Sequence, residues 1–270
     1  SITTLNPIVA DLFPKKQASA IVIMQFLVVL GTSSLPLMVS FLKDNNQWLR
    51  IPTIIFTIVF INFILVLFLK LEKDQFFELP KAFKIPKRLW LFIAAMVFYG
   101  LLEGTYGSFG SMLLKEKGLN INKAAVGLSL FWAGMALARL IFGLLSQKMN
   151  LSWYFIISPL IVGILLFLLP YSNFATLSLT IMTFSGFFMG AIFPGSIGWA
   201  TVEFPNLSVL VSGALMASNQ VGTGISTNIL GSFIKVIPLG EMLKMLSVIT
   251  ILIFVLFLIL KKKSKIDKVF

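Results

Sequence analysis

Apolar residues occur along this chain in long stretches, separated by short segments that are polar or charged. A transmembrane helix needs about 20 mainly apolar residues to cross the hydrocarbon core of a bilayer. On that criterion the pattern predicts about eight spans. They lie at residues 18–42, 48–71, 89–114, 124–145, 153–169, 174–201, 207–234 and 242–260. The predicted fold class is therefore all-α, a polytopic bundle of transmembrane helices.

The longest charged segment, EKDQFFELPKAFKIPKR at 72–88, divides the spans into two groups of unequal size. We therefore predict four parts. Residues 1–71 form the remnant of an N-terminal transmembrane bundle, 72–88 a cytoplasmic linker, 89–260 a six-helix C-terminal bundle, and 261–270 a basic cytoplasmic tail. Lysine and arginine are concentrated on the side that holds the linker and the tail, which indicates the cytoplasm. Because the chain begins with Ser1 and not with Met, we expect it to be part of a longer protein.

Composition narrows the class of protein. Hydrophobic residues make up 58% of the chain and the mean hydropathy is +0.97, which excludes a soluble globular domain. The net charge of +12 comes from residues placed between apolar stretches, so we expect the lipid bilayer of the cell (inner) membrane as the partner and no nucleic acid. The chain has no histidine and no cysteine, which removes the usual metal ligands and thiol chemistry. We predict no metal, no cofactor and no enzyme activity.

One charge, Glu103, lies in the middle of the span at 89–114. A charged side chain at the bilayer centre costs about 2.5–3.5 kcal/mol on insertion scales, and such residues mark functional sites by default. The small and polar residues around it recur at spacings of three and four, which places them on one face of a helix. That face holds Gly100, Glu103, Tyr106, Gly107 and Gly110. The pattern indicates a helix that lines a polar interior, or a buried carboxylate that only joins two helices.

Three segments resemble the major facilitator superfamily, and within it the branch of fucose–proton symporters and related sugar permeases. They are FYGLLEGTYGSFGSML at 98–113, FWAGMALARLIFGLLSQK at 131–148 and GFFMGAIFPGSIGWATVEFP at 186–205. The resemblance implies two six-helix bundles, of which this chain lacks most of the first four helices. The second segment departs from the family's loop motif, which has an Asp four residues after its Gly, because Gln147 follows Gly143 at that spacing.

The resemblance also implies a function. A central cavity between the two bundles would open alternately to each side of the membrane and carry a small solute, such as a sugar. Glu103 would bind and release the coupling proton as the cavity changes its exposure. Arg139 and Glu203, near the cytoplasmic ends of their helices, are the gate candidates. The alternative is that both are solvated, with Arg139 extending to the surface. The full-length protein is expected to be a monomer.

The resemblance also suggests where a solute would bind. Amides and hydroxyls of the seventh span can hydrogen-bond a hydroxylated solute, or they can join helices at about 0.6 kcal/mol per contact. Aromatic side chains can stack on a sugar ring, or they can be ordinary packing residues. The substrate-binding candidates are Tyr106, Trp132, Trp199, Asn219, Gln220, Thr223, Thr227 and, in the first span, Gln25. Efflux of amphipathic compounds and a non-transporting sensor or degenerate transporter remain the alternative functions.

Overall fold

The computed structural model describes Phe13 and residues 17–44, 47, 49–68, 85–145 and 152–262. Most of the predicted linker, Gln147 and nearly all of the predicted basic tail lie outside the described residues. The helices are α1 (Gln17–Asp44), α2 (Arg50–Leu67), α3 (Lys87–Glu116), α4 (Ile121–Leu145), α5 (Ser152–Leu168), α6 (Ala175–Gly190), α7 (Ile192–Glu203), α8 (Ser208–Ile225), α9 (Gly231–Phe233) and α10 (Leu239–Lys261). A π-helical turn, Ser226–Leu230, connects α8 to α9. Within the described residues there is no strand, and the prediction of an all-α bundle is confirmed.

Six segments of the described residues are long and apolar enough to cross a membrane. They are Val22–Leu42, Lys87–Glu116, Ile121–Leu145, Ser152–Tyr171, Ala175–Glu203 and Leu239–Lys261. The two other predicted spans differ from the expectation. The helix within 48–71 is the shorter α2, and the span at 207–234 is interrupted by the π-helical turn after α8.

Glycine residues let the helices of the bundle approach closely, as small residues do in membrane proteins. A Cβ atom on Gly100 of α3 would collide with the backbone oxygen of Asn219 on α8. On the other helix, a Cβ on Gly222 of α8 would collide with the backbone oxygen of Val97 on α3. The helices α3 and α8 are therefore packed backbone to backbone at this level, and Glu103 lies one turn further along α3.

The helix α1 packs along α4, whereas α2 makes few contacts with the rest of the described residues. Most side chains of α2 are exposed and apolar, including Phe56, Phe60 and Phe63. The contact between α1 and α4 is therefore the main junction between the predicted N-terminal part and the C-terminal bundle.

The predicted span at 174–201 is broken, as the proline within it leads one to expect. The helix α6 ends at Gly190 and α7 begins at Ile192. Pro194 has no backbone N–H, so the carbonyl four residues earlier, that of Gly190, cannot accept the usual helical hydrogen bond. The break leaves backbone groups that other parts of the bundle must satisfy.

Candidate functional site

The carboxylate of Glu103 lies where α3, α4 and α8 meet. Its side chain is only 14% exposed. Oε2 accepts a hydrogen bond from Asn219 Nδ2 of α8 at 3.0 Å. Oε1 accepts one from Tyr99 Oη, one turn back on α3, at 3.4 Å, and lies 4.0 Å from Nη2 of Arg139 on α4. Both carboxylate oxygens are thus held by side chains, as a buried charge requires.

Arg139 is buried, with only 3% of its side chain exposed. Its Nε donates to the Gly190 carbonyl at 2.9 Å, and Nη1 donates to the backbone carbonyl of Gln25 on α1 at 3.1 Å. Nη1 also lies 3.5 Å from Oε1 of the Gln25 side chain. The expectation that Arg139 extends to the surface is therefore wrong. The α6–α7 break and α1 supply acceptors for the guanidinium inside the bundle, so the side chain has no need to reach water.

Two polar atoms at the edges of this cluster have no hydrogen-bond partner among the described residues. They are Nε2 of Gln25 and Oδ1 of Asn219. Both side chains are nearly inaccessible, at 3% and 5% exposed. Buried polar atoms in native proteins are almost always paired, so an unpaired one calls for a bound water or ligand. The cluster therefore offers one free donor and one free acceptor.

The structure places two aromatic candidates within the protein core. Tyr106 is buried, stacks on Phe131 at 4.7 Å between ring centroids, and donates from its hydroxyl to Ser185 Oγ at 2.9 Å. Trp199 is buried among the rings of Phe92, Phe155 and Phe257. These surroundings match those of ordinary packing residues. Trp132 is half-buried beside Phe131 and Gly107.

The polar residues of the seventh span do not all join the cluster around Glu103. Thr223 donates to the Gly100 carbonyl of α3 at 3.2 Å, which is the helix-joining role considered above. Thr227 is exposed and donates to the Thr223 carbonyl at 2.9 Å. Gln220 is exposed. Of the amides and hydroxyls predicted to bind a solute, Asn219 and Gln25 contact the Glu103–Arg139 pair.

Glu203, the second gate candidate, lies in a separate cluster at the end of α7. Its Oε1 is 2.5 Å from Nε of Arg88, at the start of α3, and its Oε2 accepts a hydrogen bond from Trp199 Nε1 at 3.1 Å. Arg88 also donates to the Leu260 carbonyl of α10. Three helices are therefore joined next to the predicted linker. Within the described residues, no group of three or more acids is placed to hold a metal ion.

Comparison with known proteins agrees with this architecture. The family model described as Major Facilitator Superfamily matches residues 1–227. The chain belongs to the major facilitator superfamily. It is also similar to the "Glucose/mannose transporter GlcP" of Bacillus subtilis (strain 168), with 23% identity over 225 residues. The match covers 77% of this chain and 56% of that protein, so the chain spans little more than half the length of this curated relative.

Membership of the superfamily confirms the resemblance seen in the three segments. It means that the apolar helices belong to an integral, multi-pass membrane protein, and it agrees with the prediction of a transporter and not an enzyme. The cluster of Glu103, Arg139, Gln25 and Asn219 then lies where α1 meets the C-terminal bundle.

Tyr99, which contacts this cluster, was not among the site residues predicted from the sequence. It lies four residues before Glu103, on the same face of α3, and its hydroxyl contacts both Glu103 and the Met189 carbonyl. The spacing of four was a visible signal, because side chains at i and i+4 are neighbours on a helix.

Proposed function

We propose that the full-length protein carries a small neutral polyhydroxy solute, such as a hexose, across the cell membrane by alternating access. A proton bound at Glu103 is coupled to this movement. The observation that supports the proposal is the position of Glu103, a carboxylate deep in a described span, beside Arg139, which also binds α1 across the junction that a rocking motion would open. The name of the relative, a glucose/mannose transporter, favours a hexose. The C-terminus lies in the cytoplasm, and the protein works as a monomer.

The chemistry of the cluster suits a neutral solute. Glu103 and Arg139 carry opposite charges, so the ionised pair has no net charge to attract an anion or a cation. The free donor of Gln25 and the free acceptor of Asn219 match hydroxyl groups, which both donate and accept hydrogen bonds. A solute hydroxyl at either atom would remove the cost of leaving it unpaired.

The same contacts would link a proton at Glu103 to the place where the solute binds. Protonation removes the negative charge that faces Arg139, and it converts one carboxylate oxygen from an acceptor into a donor. The contacts to α4 and α8 would change together, in the region where the solute would bind. Solute binding and proton binding would thus depend on each other, which is the requirement for coupled transport.

Efflux of amphipathic compounds is less well supported. A cavity for such compounds would expose aromatic rings, as promiscuous apolar sites do. Tyr106 and Trp199 instead lie in the packed core, and their polar atoms already donate to Ser185 and Glu203.

The test is uptake of radiolabelled D-glucose and D-mannose by proteoliposomes that contain the full-length protein, with and without an inward proton gradient. Glu103→Gln keeps the shape of the side chain and removes the titratable group. We expect it to abolish accumulation driven by the gradient while exchange of internal for external sugar continues. The matched control is Glu116→Gln, an exposed glutamate at the end of the same helix, which should behave as wild type.

Two results would contradict the proposal. If Glu103→Gln accumulates sugar as well as wild type under the gradient, the proton does not bind at Glu103. If neither hexose is taken up by the wild-type protein in either condition, the solute is not a hexose.

A further inference from the structure

Positive charge is concentrated where α3 begins and α10 ends. Lys87 and Arg88 are the first residues of α3, Lys261 is the last of α10, and Lys262 follows it. The guanidinium of Arg88 donates a hydrogen bond to the Leu260 carbonyl, across 172 residues of sequence. This bond joins the two helix ends, so four cations from distant parts of the chain lie close together.

Three of these cations have no acidic partner among the described residues. Arg88 is paired with Glu203 of α7, the one acid that the described residues place at this end of the bundle. The other three, Lys87, Lys261 and Lys262, form no ion pair with a described residue. These three residues form the lysine cluster. Lys87 and Lys262 are exposed and Lys261 is half-buried, so the cluster presents a surplus of positive charge at the surface.

The lysine cluster lies at the level of the lipid headgroups. Trp90, three residues after Lys87, is 56% exposed, and exposed tryptophans near the ends of membrane helices mark the bilayer interface. On α10, the apolar side chains of Leu258 and Ile259 are exposed just before Lys261. Lysine stems can extend along such apolar surface while the ammonium groups reach the headgroups.

We propose that the lysine cluster binds the headgroup of an anionic phospholipid between the start of α3 and the end of α10. The phosphodiester of such a lipid carries a negative charge and oxygen atoms that accept hydrogen bonds, and each ammonium group offers three donors. Basic sites between membrane helices are known to bind anionic headgroups. The acyl chains would lie along Trp90 and the exposed apolar end of α10. This site is separate from the Glu103–Arg139 pair and does not depend on the solute.

Membrane topology alone does not account for the arrangement. Lysines that flank spans fix the side of the membrane on which a segment stays, and that effect acts on each segment separately. It does not require the start of α3 and the end of α10 to bring their lysines together, and bringing like charges together is unfavourable. An anionic headgroup would offset this repulsion. It would also bridge α3 to α10, in addition to the bond from Arg88 to the Leu260 carbonyl.

The test is lipid binding to the purified full-length protein, measured by native mass spectrometry. Dioleoylphosphatidylglycerol is compared with dioleoylphosphatidylcholine, which has the same acyl chains and no net charge. We expect the wild-type protein to bind the anionic lipid more tightly and to unfold at a higher temperature in its presence. The test variant, Lys87→Gln/Lys261→Gln/Lys262→Gln, should bind it more weakly, by about fivefold for each lysine replaced.

The matched control removes three lysines at the opposite end of the bundle. Lys115, Lys123 and Lys235 are exposed there, among acids that include Glu116 and Glu241. The variant Lys115→Gln/Lys123→Gln/Lys235→Gln has the same net charge as the test variant and should bind the lipid as the wild type does. Glycerophosphoglycerol, the headgroup without acyl chains, distinguishes a lipid from a soluble phosphate ester. It should not raise the unfolding temperature at the same concentration.

Three results would overturn the lipid site. The first is equal affinity of the wild type for the two lipids. The second is an equal loss of affinity in both triple variants, which would mean a response to net charge. The third is equal stabilisation by glycerophosphoglycerol, which would mean that the ligand is soluble.

A single substitution keeps the test decisive if the triple variant does not fold. Lys262 lies just beyond the end of α10, and Lys262→Gln alone should weaken binding of the anionic lipid by about fivefold. Unchanged binding in that variant would also overturn the lipid site. None of these measurements uses sugar uptake, so a failure of the hexose proposal would leave their outcome intact.

Discussion

The close contact between α3 and α8 near the candidate site predicts different effects of an alanine substitution at two glycines of α8. A Cβ on Gly222 would collide with Val97 O and would lie 2.8 Å from Leu101 N, whereas a Cβ on Gly224 would have nothing within 4 Å. Gly222→Ala should therefore destabilise the protein, and Gly224→Ala, only two residues away, should not. The pair compares the same chemical change on the same helix.

The magnitude follows from the contact. An ordinary Cβ contact needs 3.4 Å or more, so α3 and α8 must separate by more than about 1 Å to accept the methyl group, because packed interiors leave no spare room. Overpacking of this kind costs about 1–3 kcal/mol. The separation would also stretch the bonds from Asn219 to Glu103 and from Thr223 to Gly100 O, now 3.0 and 3.2 Å. With about 0.6 kcal/mol for each of these bonds, the expected total loss is about 2–4 kcal/mol.

The assay is the free energy of unfolding of the purified protein, measured by titration with sodium dodecyl sulfate in mixed micelles. Gly222→Ala should lose about 2–4 kcal/mol and gradient-driven sugar uptake, because Asn219 moves away from Glu103. Gly224→Ala should be neutral or gain up to about 1 kcal/mol from helix propensity. Equal unfolding free energies for the two variants would refute the backbone contact between α3 and α8.

Two further predictions concern the ion pair of Glu203 with Arg88 and the hydrogen bond of Tyr106 to Ser185. Glu203→Gln should lower the free energy of unfolding by about 1–2 kcal/mol, because it removes the ion pair with Arg88 at a partly exposed position; a stability equal to wild type in the same titration would contradict that pairing. Tyr106→Phe keeps the ring stacked on Phe131 but loses the bond to Ser185, so it should cost about 0.6 kcal/mol and at most about 1.7, with the KM for sugar uptake unchanged. A several-fold rise in that KM would show that the Tyr106 hydroxyl binds the solute.

Hydropathy was sufficient to predict most of the architecture. Spans such as 89–114 are predictable because a segment that crosses a bilayer must be both apolar and long, and α3 indeed covers Lys87–Glu116. The placement of Glu103 inside the bundle was predictable for the related reason that a charge exposed to lipid is costly, and its role as a proton site stays a prediction. The break in the span at 174–201 lies close to Pro194, whose effect on a helix is local and can therefore be read from the sequence.

The surroundings of Arg139 were not predictable in the same way. Its position near the end of its span suggested a side chain that reaches water, and that expectation depended on α4 alone. Its acceptors lie far away in sequence, 51 residues for Gly190 and 114 for Gln25. One of them is free only because Pro194 interrupts another helix. Whether an arginine stays buried depends on the acceptors that neighbouring helices present, which single-sequence patterns do not show.

The unpaired atoms around the Glu103–Arg139 pair are consistent with the solute site that we propose for the cluster. A buried ion pair is weak evidence of stability, because desolvation offsets much of the attraction. A pair kept only to join helices would gain most from a complete hydrogen-bond network. Here Gln25 Nε2 and Asn219 Oδ1 are left without partners among the described residues. Gln25 binds Arg139 and Asn219 binds Glu103, and the ion-pair distance between these two charges is a loose 4.0 Å. An incomplete network at the junction of α1 with the C-terminal bundle is the arrangement expected where a bound water or a ligand completes the set of bonds.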